Sequence, residues 1–252
     1  MTWWTKRKHA HILETPFPAE WRAILERNVQ LVSRLDAAER KAHEDRVQIF
    51  VAEKRFEGCG GLEVTDEMRV TIAGQACILV LHIDEEEDLF PTVESVLVYP
   101  SGYRATGVVQ PGGIVVDESA RAGEAWQQGA VVLAWDEVLR AAHDPRHNLV
   151  MHEFAHALDQ EDGSSDGAPL LPVRGMYGPW ARVLGAEYAH LLEEIRSGHA
   201  PSIDAYGATN PAEFFAVVTE AFFGRPHQLR RTHPELYEQL KAFYRQDPAS
   251  RG

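Results

Sequence analysis

Two histidines and a glutamate lie close together in the segment 148–159, at a spacing that suits metal chemistry. On a helix, residues four apart lie one above the other, so His152 and His156 would project from one face and bind one divalent cation through their ring nitrogens. Glu153 is one step round the helix, where its carboxylate can take a proton from water without being a ligand. This His-Glu-x-x-His arrangement is the one that zinc peptidases use, and it predicts a hydrolytic zinc site.

The residues around the motif favour a helix. No Gly or Pro interrupts the segment, and its apolar residues suit a helix that is buried on one side: Leu149, Val150, Phe154, Ala155, Ala157 and Leu158. The alternative is that both histidines are core residues with satisfied hydrogen bonds and that Glu153 is a surface charge. A chance match could fall equally on a strand or a loop, so the helical context favours the metal site.

A catalytic zinc ion usually has three protein ligands and leaves its fourth position to water, so a third ligand must lie elsewhere in the chain. Asp162 has the spacing of another zinc-protease pattern, but that pattern needs glycine where Asp159 stands. Glu213 and Glu220 lie seven residues apart on one face of a second predicted helix, among phenylalanines that make an unpaired carboxylate costly. Glu213 could instead cap that helix, since Asn-Pro-Ala-Glu is a capping pattern. The residues alone leave Glu213 and Glu220 as equal candidates.

Composition limits the classes of protein to consider. With 252 residues, 44% of them hydrophobic, the chain can bury a full core. Its net charge of −13 argues against nucleic acid or an anionic membrane as the main partner. The basic start has no apolar stretch of a secretory signal after it, and no segment approaches the ~18 apolar residues of a membrane span. Cys59 and Cys77 lack paired spacing and fit thiols in a reducing cytoplasm, so we expect a cytoplasmic protein.

The N-terminal part is predicted to be mainly helical. Residues 1–15 are expected to form a loosely ordered tail, residues 21–35 one or two short helices, and residues 36–55 a longer helix that ends before a glycine cluster. Residues 68–81 carry the β-branched side chains of a strand, but their length and their acidic start after Thr65 favour a helix.

The C-terminal part combines a small sheet with further helices. Short β-type runs at 95–99, 114–116 and 130–135, separated by Pro and Gly turns, predict a small mixed sheet directly before the His-Glu helix. Further helices are predicted at 136–142, 176–197, 211–223 and 234–244, the last with Thr232 as its cap. The prediction is a mostly helical α+β fold, with a helical part over about 16–90 and a catalytic part over about 91–248.

Three longer motifs resemble the Mlc titration factor A family: HEFAHALD at 152–159, SIDAYGA at 202–208 and NPAEFFAV at 210–217. Four shorter stretches agree as well: VYP at 98–100, WQQG at 126–129, VLAW at 132–135 and FYRQDP at 243–248. The resemblance covers roughly residues 15–248 and is far more specific than the five-residue metal motif alone.

Members of that family are bacterial zinc-dependent peptidases with a catalytic core similar to that of anthrax lethal factor, so the resemblance implies a zincin-like single domain. It also implies that His152, His156 and Glu213 hold one Zn²⁺ ion. The family is named for a partner, the glucose-regulatory repressor Mlc. No residues in this sequence establish that interaction.

The resemblance implies further roles around the metal. Glu153 would be the catalytic carboxylate, while Glu220 and Asp159 would hold the ligands in orientation. Tyr206 would line the site, where its hydroxyl could donate to the oxyanion that develops during hydrolysis. An ordinary half-buried tyrosine is the alternative for that residue. One of the strands in the region 95–135 could bind the substrate backbone along its edge.

Three functions remain to be distinguished. The sequence favours a zinc metallopeptidase that acts on a peptide or protein substrate, and the resemblance tilts this toward aminopeptidase-like cleavage of short peptides. The main alternative is a zinc-containing regulatory protein that sequesters a transcriptional repressor and hydrolyses little. Glu153 favours the enzyme, since a pure binding protein needs no general base beside its metal. A structural zinc site is the third, and it would require four protein ligands.

Overall fold

The structure, a computed structural model, describes residues 3–82, 88–101, 129–142, 144 and 146–251. The predicted β-run at 114–116 and the first three residues of the motif at 126–129 lie outside the described residues. Within the described ranges the chain is mostly helical, and its three strands form one small sheet. The predicted α+β class is therefore confirmed in its coarse form.

The N-terminal half of the described chain contains four helices: α1 (Trp3–Leu13), α2 (Ala19–Asn28), α3 (Ala37–Glu53) and α4 (Asp66–Leu79), with a 3-10 turn at Gln30–Arg34. The predicted loose tail is corrected here, because α1 occupies most of it and packs against α3. A contact between His9 on α1 and Glu53 on α3 holds the two helices together, with His9 Nε2 3.0 Å from Glu53 Oε1. Asp36 opens α3 in a capping box, and the Thr65 side chain accepts from the first turn of α4, as the sequence predicted for that helix.

Helix α4 connects the N-terminal helices to the helix that carries the metal motif. It packs against α2 and α3 on one side and against the His-Glu helix on another. Gly74 lets α2 come close, because a Cβ at this position would lie 2.4 Å from a Leu25 methyl carbon. Burial of almost the whole helix explains its β-branched composition, which had suggested a strand.

The sheet consists of β1 (Arg55–Gly58), β2 (Ser95–Tyr99) and β3 (Ala130–Ala134) in that spatial order. Both pairings between the described strands are parallel, so the mixed sheet that the sequence predicted is not seen in this part of the chain. β2 and β3 lie where they were predicted. β1 was not predicted: helix α3 ends at Glu53, and the following residues pair with β2 instead of continuing the helix.

Six helices make up the C-terminal half of the described chain: α5 (Trp135–Arg140), α6 (Leu149–Asp159), α7 (Tyr177–Arg196), α8 (Pro211–Gly224), α9 (Pro226–Thr232) and α10 (Pro234–Tyr244). All but α9 were predicted. The proposed cap of α10 is wrong, because Thr232 is the last residue of α9 and its hydroxyl donates to the Gln228 carbonyl at 3.0 Å. His233 occupies the cap position instead.

Aromatic side chains hold α6 and α8 in place. The Phe154 ring on α6 lies 5.6 Å from that of Phe50 on α3 and 4.7 Å from that of Phe90. On the other side, Phe215 of α8 packs against Trp180 of α7. Full burial of one such side chain is worth about 1.5–3 kcal/mol. Since α6 and α8 also pack directly against each other, the side chains between them are held on a rigid frame.

Within the described ranges, none of the helices is both long enough and apolar enough to cross a bilayer.

Candidate metal centre

His152 and His156 on α6 and Glu213 on α8 bring three possible ligand atoms together, all within 4.8 Å of one another. Glu213 Oε2 lies 3.0 Å from His152 Nε2 and 3.4 Å from His156 Nε2. Zinc bonds of about 2.0–2.1 Å in tetrahedral geometry place ligand atoms roughly 3.3 Å apart. The donor set therefore fits a zinc ion, and three protein donors leave a fourth position open.

Glu213 lies in the capped first turn of α8, but its side chain belongs to the donor cluster and not to the cap. Its backbone N–H donates to Asn210 Oδ1 at 2.9 Å, so the predicted cap of α8 is present. The Glu213 side chain does not reach back to the cap but faces the two imidazoles. Capping by Asn210 fixes the first turn of α8 and so positions this carboxylate opposite α6.

Glu220, the other candidate ligand, lies behind His152. Its Oε1 is 2.8 Å from His152 Nδ1, and its Oε2 accepts a hydrogen bond of 2.6 Å from the Asn148 backbone N–H. A carboxylate that accepts from Nδ1–H selects the tautomer with an unprotonated Nε2, which is the nitrogen that faces Glu213. The geometry thus separates the two glutamates: Glu213 faces both histidines, whereas Glu220 orients one of them.

The electrostatics of the centre favour a cation. Burial lowers the pKa of His152, but hydrogen bonds to Glu213 and Glu220 outweigh burial and raise the pKa to about 10. Burial also acts to raise the pKa of Glu213, but its contacts with His152 and His156 lower the pKa to about 2. The carboxylates therefore stabilise a positive charge between α6 and α8. A metal ion there would displace the imidazolium proton, so its binding should release protons.

A cleft of about 450 Å³ opens beside these side chains. Glu153 is half-buried and lines the cleft next to His152. The remaining lining is apolar at two positions and otherwise polar or charged: Leu149, Val217, Glu137, Arg140, Arg146, His147, Asp204, Tyr206, Glu220 and Arg225. A carboxylate at the edge of an open cleft, one residue from a candidate ligand, is placed to exchange protons with a molecule in the cleft.

Tyr206 lies on a 3-10 turn, Ala205–Ala208, across the cleft from α6. Its ring centroid is 5.9 Å from that of His152, and the residue is 54% exposed. The turn packs against α8, where a Cβ built on Gly207 would lie 3.4 Å from the Val217 Cβ, an ordinary van der Waals contact.

The two aspartates after the motif lie away from the three donors. Asp159 is fully buried, and its Oδ2 accepts from the Gly167 N–H at 2.9 Å, which ties the end of α6 to the acidic loop. Burial raises the pKa of Asp159 to about 6. Asp162 accepts from the backbone and hydroxyl of Ser164 and is not one of the three clustered donors.

Sequence reasoning missed two residues of this region. The Asn148 backbone N–H binds Glu220, a contact that no local pattern could indicate. Arg225 lines the cleft directly after α8. Its position one residue beyond the helix that carries Glu213 and Glu220 was the available signal in the sequence.

Two imidazoles and a carboxylate around an open position, with a further carboxylate alongside, are typical of metal-dependent hydrolases. A family model described as glucose-regulated metallo-peptidase M90 matches residues 1–245. The chain therefore belongs to this family of metallopeptidases.

Individual relatives agree with the family. An uncharacterized protein of Synechocystis sp. is 38% identical over 251 residues, which is 97% of this chain and 90% of that protein. Mlc titration factor A of Klebsiella pneumoniae is 34% identical over 228 residues (88% and 85%), and that of Serratia proteamaculans is 33% identical over 258 residues (98% and 94%). These matches confirm the resemblance to Mlc titration factor A.

Proposed function

We propose that this chain is a zinc-dependent peptidase that cleaves short peptides in an aminopeptidase-like manner. The observation that supports this most strongly is the convergence of His152, His156 and Glu213 at an open cleft, with Glu153 beside them. Two nitrogen donors and one oxygen donor suit zinc. When bound there, zinc supplies Lewis acidity, which polarises a carbonyl and lowers the pKa of water from about 15.7 to about 7.

Glu153 acts as the general base and then as the general acid. Its carboxylate takes the proton from the attacking water and passes it to the amine that leaves when the peptide bond breaks. Glu153 lies on the wall of the cleft and is not one of the three clustered donors. Its proton transfers would therefore leave the ligand positions unchanged.

The shape of the cleft supports a short peptide as the substrate. Its volume, about 450 Å³, falls in the range of about 300–1,000 Å³ of sites for small ligands. Strand β3 is an outer strand of the described sheet and contacts α6. We propose that the extended backbone of the peptide pairs with the outer edge of β3 as an added strand.

Tyr206 stabilises the oxyanion that forms when water attacks the carbonyl. We expect Tyr206→Phe to lower kcat by about 10-fold or more, because the ring stays while the donor is lost, and transition-state donors are worth a few kcal/mol. KM and zinc content should change little. Steady-state kinetics and metal analysis of the variant test this, with Tyr177→Phe on α7 as a control away from the cleft. An unchanged kcat would leave Tyr206 without a catalytic role.

A second candidate function follows from the names of the relatives. Proteins called Mlc titration factor A suggest a regulator that binds a transcriptional repressor, and this chain could bind such a partner whether or not it hydrolyses peptides. Repressor binding that survives Glu153→Gln, together with a wild-type protein inactive on all peptides, would favour this function. A structural zinc site is disfavoured, since only three donors cluster among the described residues.

Metal removal tests the proposed enzyme. The purified protein, assayed with a panel of chromogenic aminoacyl and peptide substrates, should lose all hydrolysis after chelation and regain it with one equivalent of Zn²⁺. Turnover that persists in metal-free protein would contradict the proposal. The same panel identifies the cleavage position, since release of free amino-terminal residues distinguishes an aminopeptidase from an endopeptidase.

A further inference from the structure

Arg225 is one of the residues that line the cleft, together with His152, Glu153 and Tyr206. The Arg225 Nε is buried and has no hydrogen-bond partner among the described residues. A partly buried guanidinium without a counter-charge is costly, and a carboxylate bound in the cleft would supply that charge.

The other cations of the cleft are already paired. Arg140 lies 2.9 Å from Glu137, and both the Nε and an Nη of Arg146 lie 3.0 Å from the Asp144 carboxylate. Glu220, the acidic residue closest to Arg225 in sequence, is engaged by other groups, since one oxygen faces His152 and the other accepts from Asn148. Arg225 therefore differs from its neighbours in having no carboxylate of the described chain bound to it.

The backbone around Arg225 is fixed. Its N–H donates to the Ala221 carbonyl at 2.9 Å as α8 ends, and Pro226 begins α9 at the next position. Pro restrains its own φ and also limits the conformation of the residue before it. The backbone that carries the guanidinium is thus fixed at the C-terminal end of α8, the helix that also carries Glu213.

We propose that Arg225 binds a carboxylate of the peptide substrate and so sets the specificity of this site, an inference that rests on the proposed peptidase function. The terminal N–H groups of a guanidinium form a planar fork that matches the two oxygens of a carboxylate. That carboxylate is either the C-terminus of the peptide or an Asp or Glu side chain. Neutral peptides would leave the guanidinium without a counter-charge.

Binding to a protein that cannot turn over tests the inference. In the zinc-loaded Glu153→Gln background, calorimetry would compare pentaalanine with its C-terminal amide, and Ala-Ala-Ala-Glu-Ala amide with its Gln counterpart. We expect at least one of the acidic peptides to bind about 10-fold or more tightly than its neutral match. The pair that shows this preference identifies the source of the carboxylate.

Variants assign the preference to one residue. Arg225→Gln should abolish it, and Arg225→Lys should retain only part, because lysine keeps the charge but not the fork. Arg140→Gln, in the same cleft but already paired, is the matched control and should keep the full preference. Melting temperatures show whether each variant is folded. If Arg225→Gln is unfolded, the reduced preference of Arg225→Lys tests the assignment instead.

Two results would overturn the assignment. One is equal binding of acidic and neutral peptides by the Glu153→Gln protein, or no binding of either; the other is a preference that survives at Arg225→Gln. Failure of the proposed function would give a different result. The wild-type protein would hydrolyse no peptide, yet its preference for acidic peptides would still depend on Arg225. In that case the binding role of Arg225 stands and only the catalytic proposal fails.

Discussion

Replacing Glu153 with glutamine is expected to lower kcat for peptide hydrolysis by about 100-fold or more, the contribution typical of a positioned general base. Glutamine has almost the same shape but cannot accept the proton of the attacking water. The contacts among His152, His156 and Glu213 do not involve this side chain, so zinc content should remain at the wild-type level. Steady-state kinetics and metal analysis of the same preparation measure both quantities.

The control for this change is Glu193→Gln on the exposed side of α7, where the side chain is 62% exposed and pairs only with Arg196 among the described residues. Its kcat and zinc content should match those of the wild type. If Glu153→Gln kept its full turnover, Glu153 would have no part in the mechanism. If it lost both turnover and zinc, Glu153 would be needed for the metal site instead.

Removing the carboxylate of Glu213 is expected to abolish stoichiometric zinc binding and, with it, hydrolysis. Glu213 Oε2 is the only described carboxylate oxygen that faces both imidazoles, at 3.0 and 3.4 Å. Alanine leaves the cap of α8 intact, since Asn210 accepts from the backbone of residue 213 and not from its side chain. Zinc affinity measured by competition with a chromophoric chelator should fall by more than about 100-fold, beyond the usual effect of a residue that only orients a ligand.

Glu220→Ala is the matched comparison, because it removes a carboxylate from the same face of the same helix. It should keep a full equivalent of zinc at saturation, with affinity lowered by about 10–100-fold as the orientation of His152 is lost. The reverse result, in which Glu220→Ala is metal-free and Glu213→Ala is not, would exchange the roles of the two residues. The melting temperatures of both variants show whether either has lost its fold.

Local signals in the sequence predicted the elements that carry the site. Asn210 caps α8 as the Asn-Pro-Ala-Glu pattern suggested, and the common face of the two histidines follows from helical spacing alone. The choice between Glu213 and Glu220 did not follow, because both lie on one face of α8 and both have apolar neighbours. Only the way in which α6 packs against α8 places one beside Nε2 and the other beside Nδ1 of His152.

The elements that the sequence did not predict depend on contacts between distant residues. Strand β1 has only one buried side chain, Phe56, and therefore lacks an alternating pattern; it exists because β2, some 40 residues later, pairs with it. Helix α1 has no strong apolar face and is held by its packing on α3 and the contact of His9 with Glu53. Such pairings are set by the folded chain as a whole.

Anomalous diffraction at the zinc absorption edge, from crystals of the zinc-loaded protein, tests the central claim most directly. The account predicts one strong peak per chain, bounded by His152 Nε2, His156 Nε2 and the Glu213 carboxylate, with a side open to the cleft that contains Glu153. A peak at any other position, or a fourth protein ligand that closes this side, would contradict it.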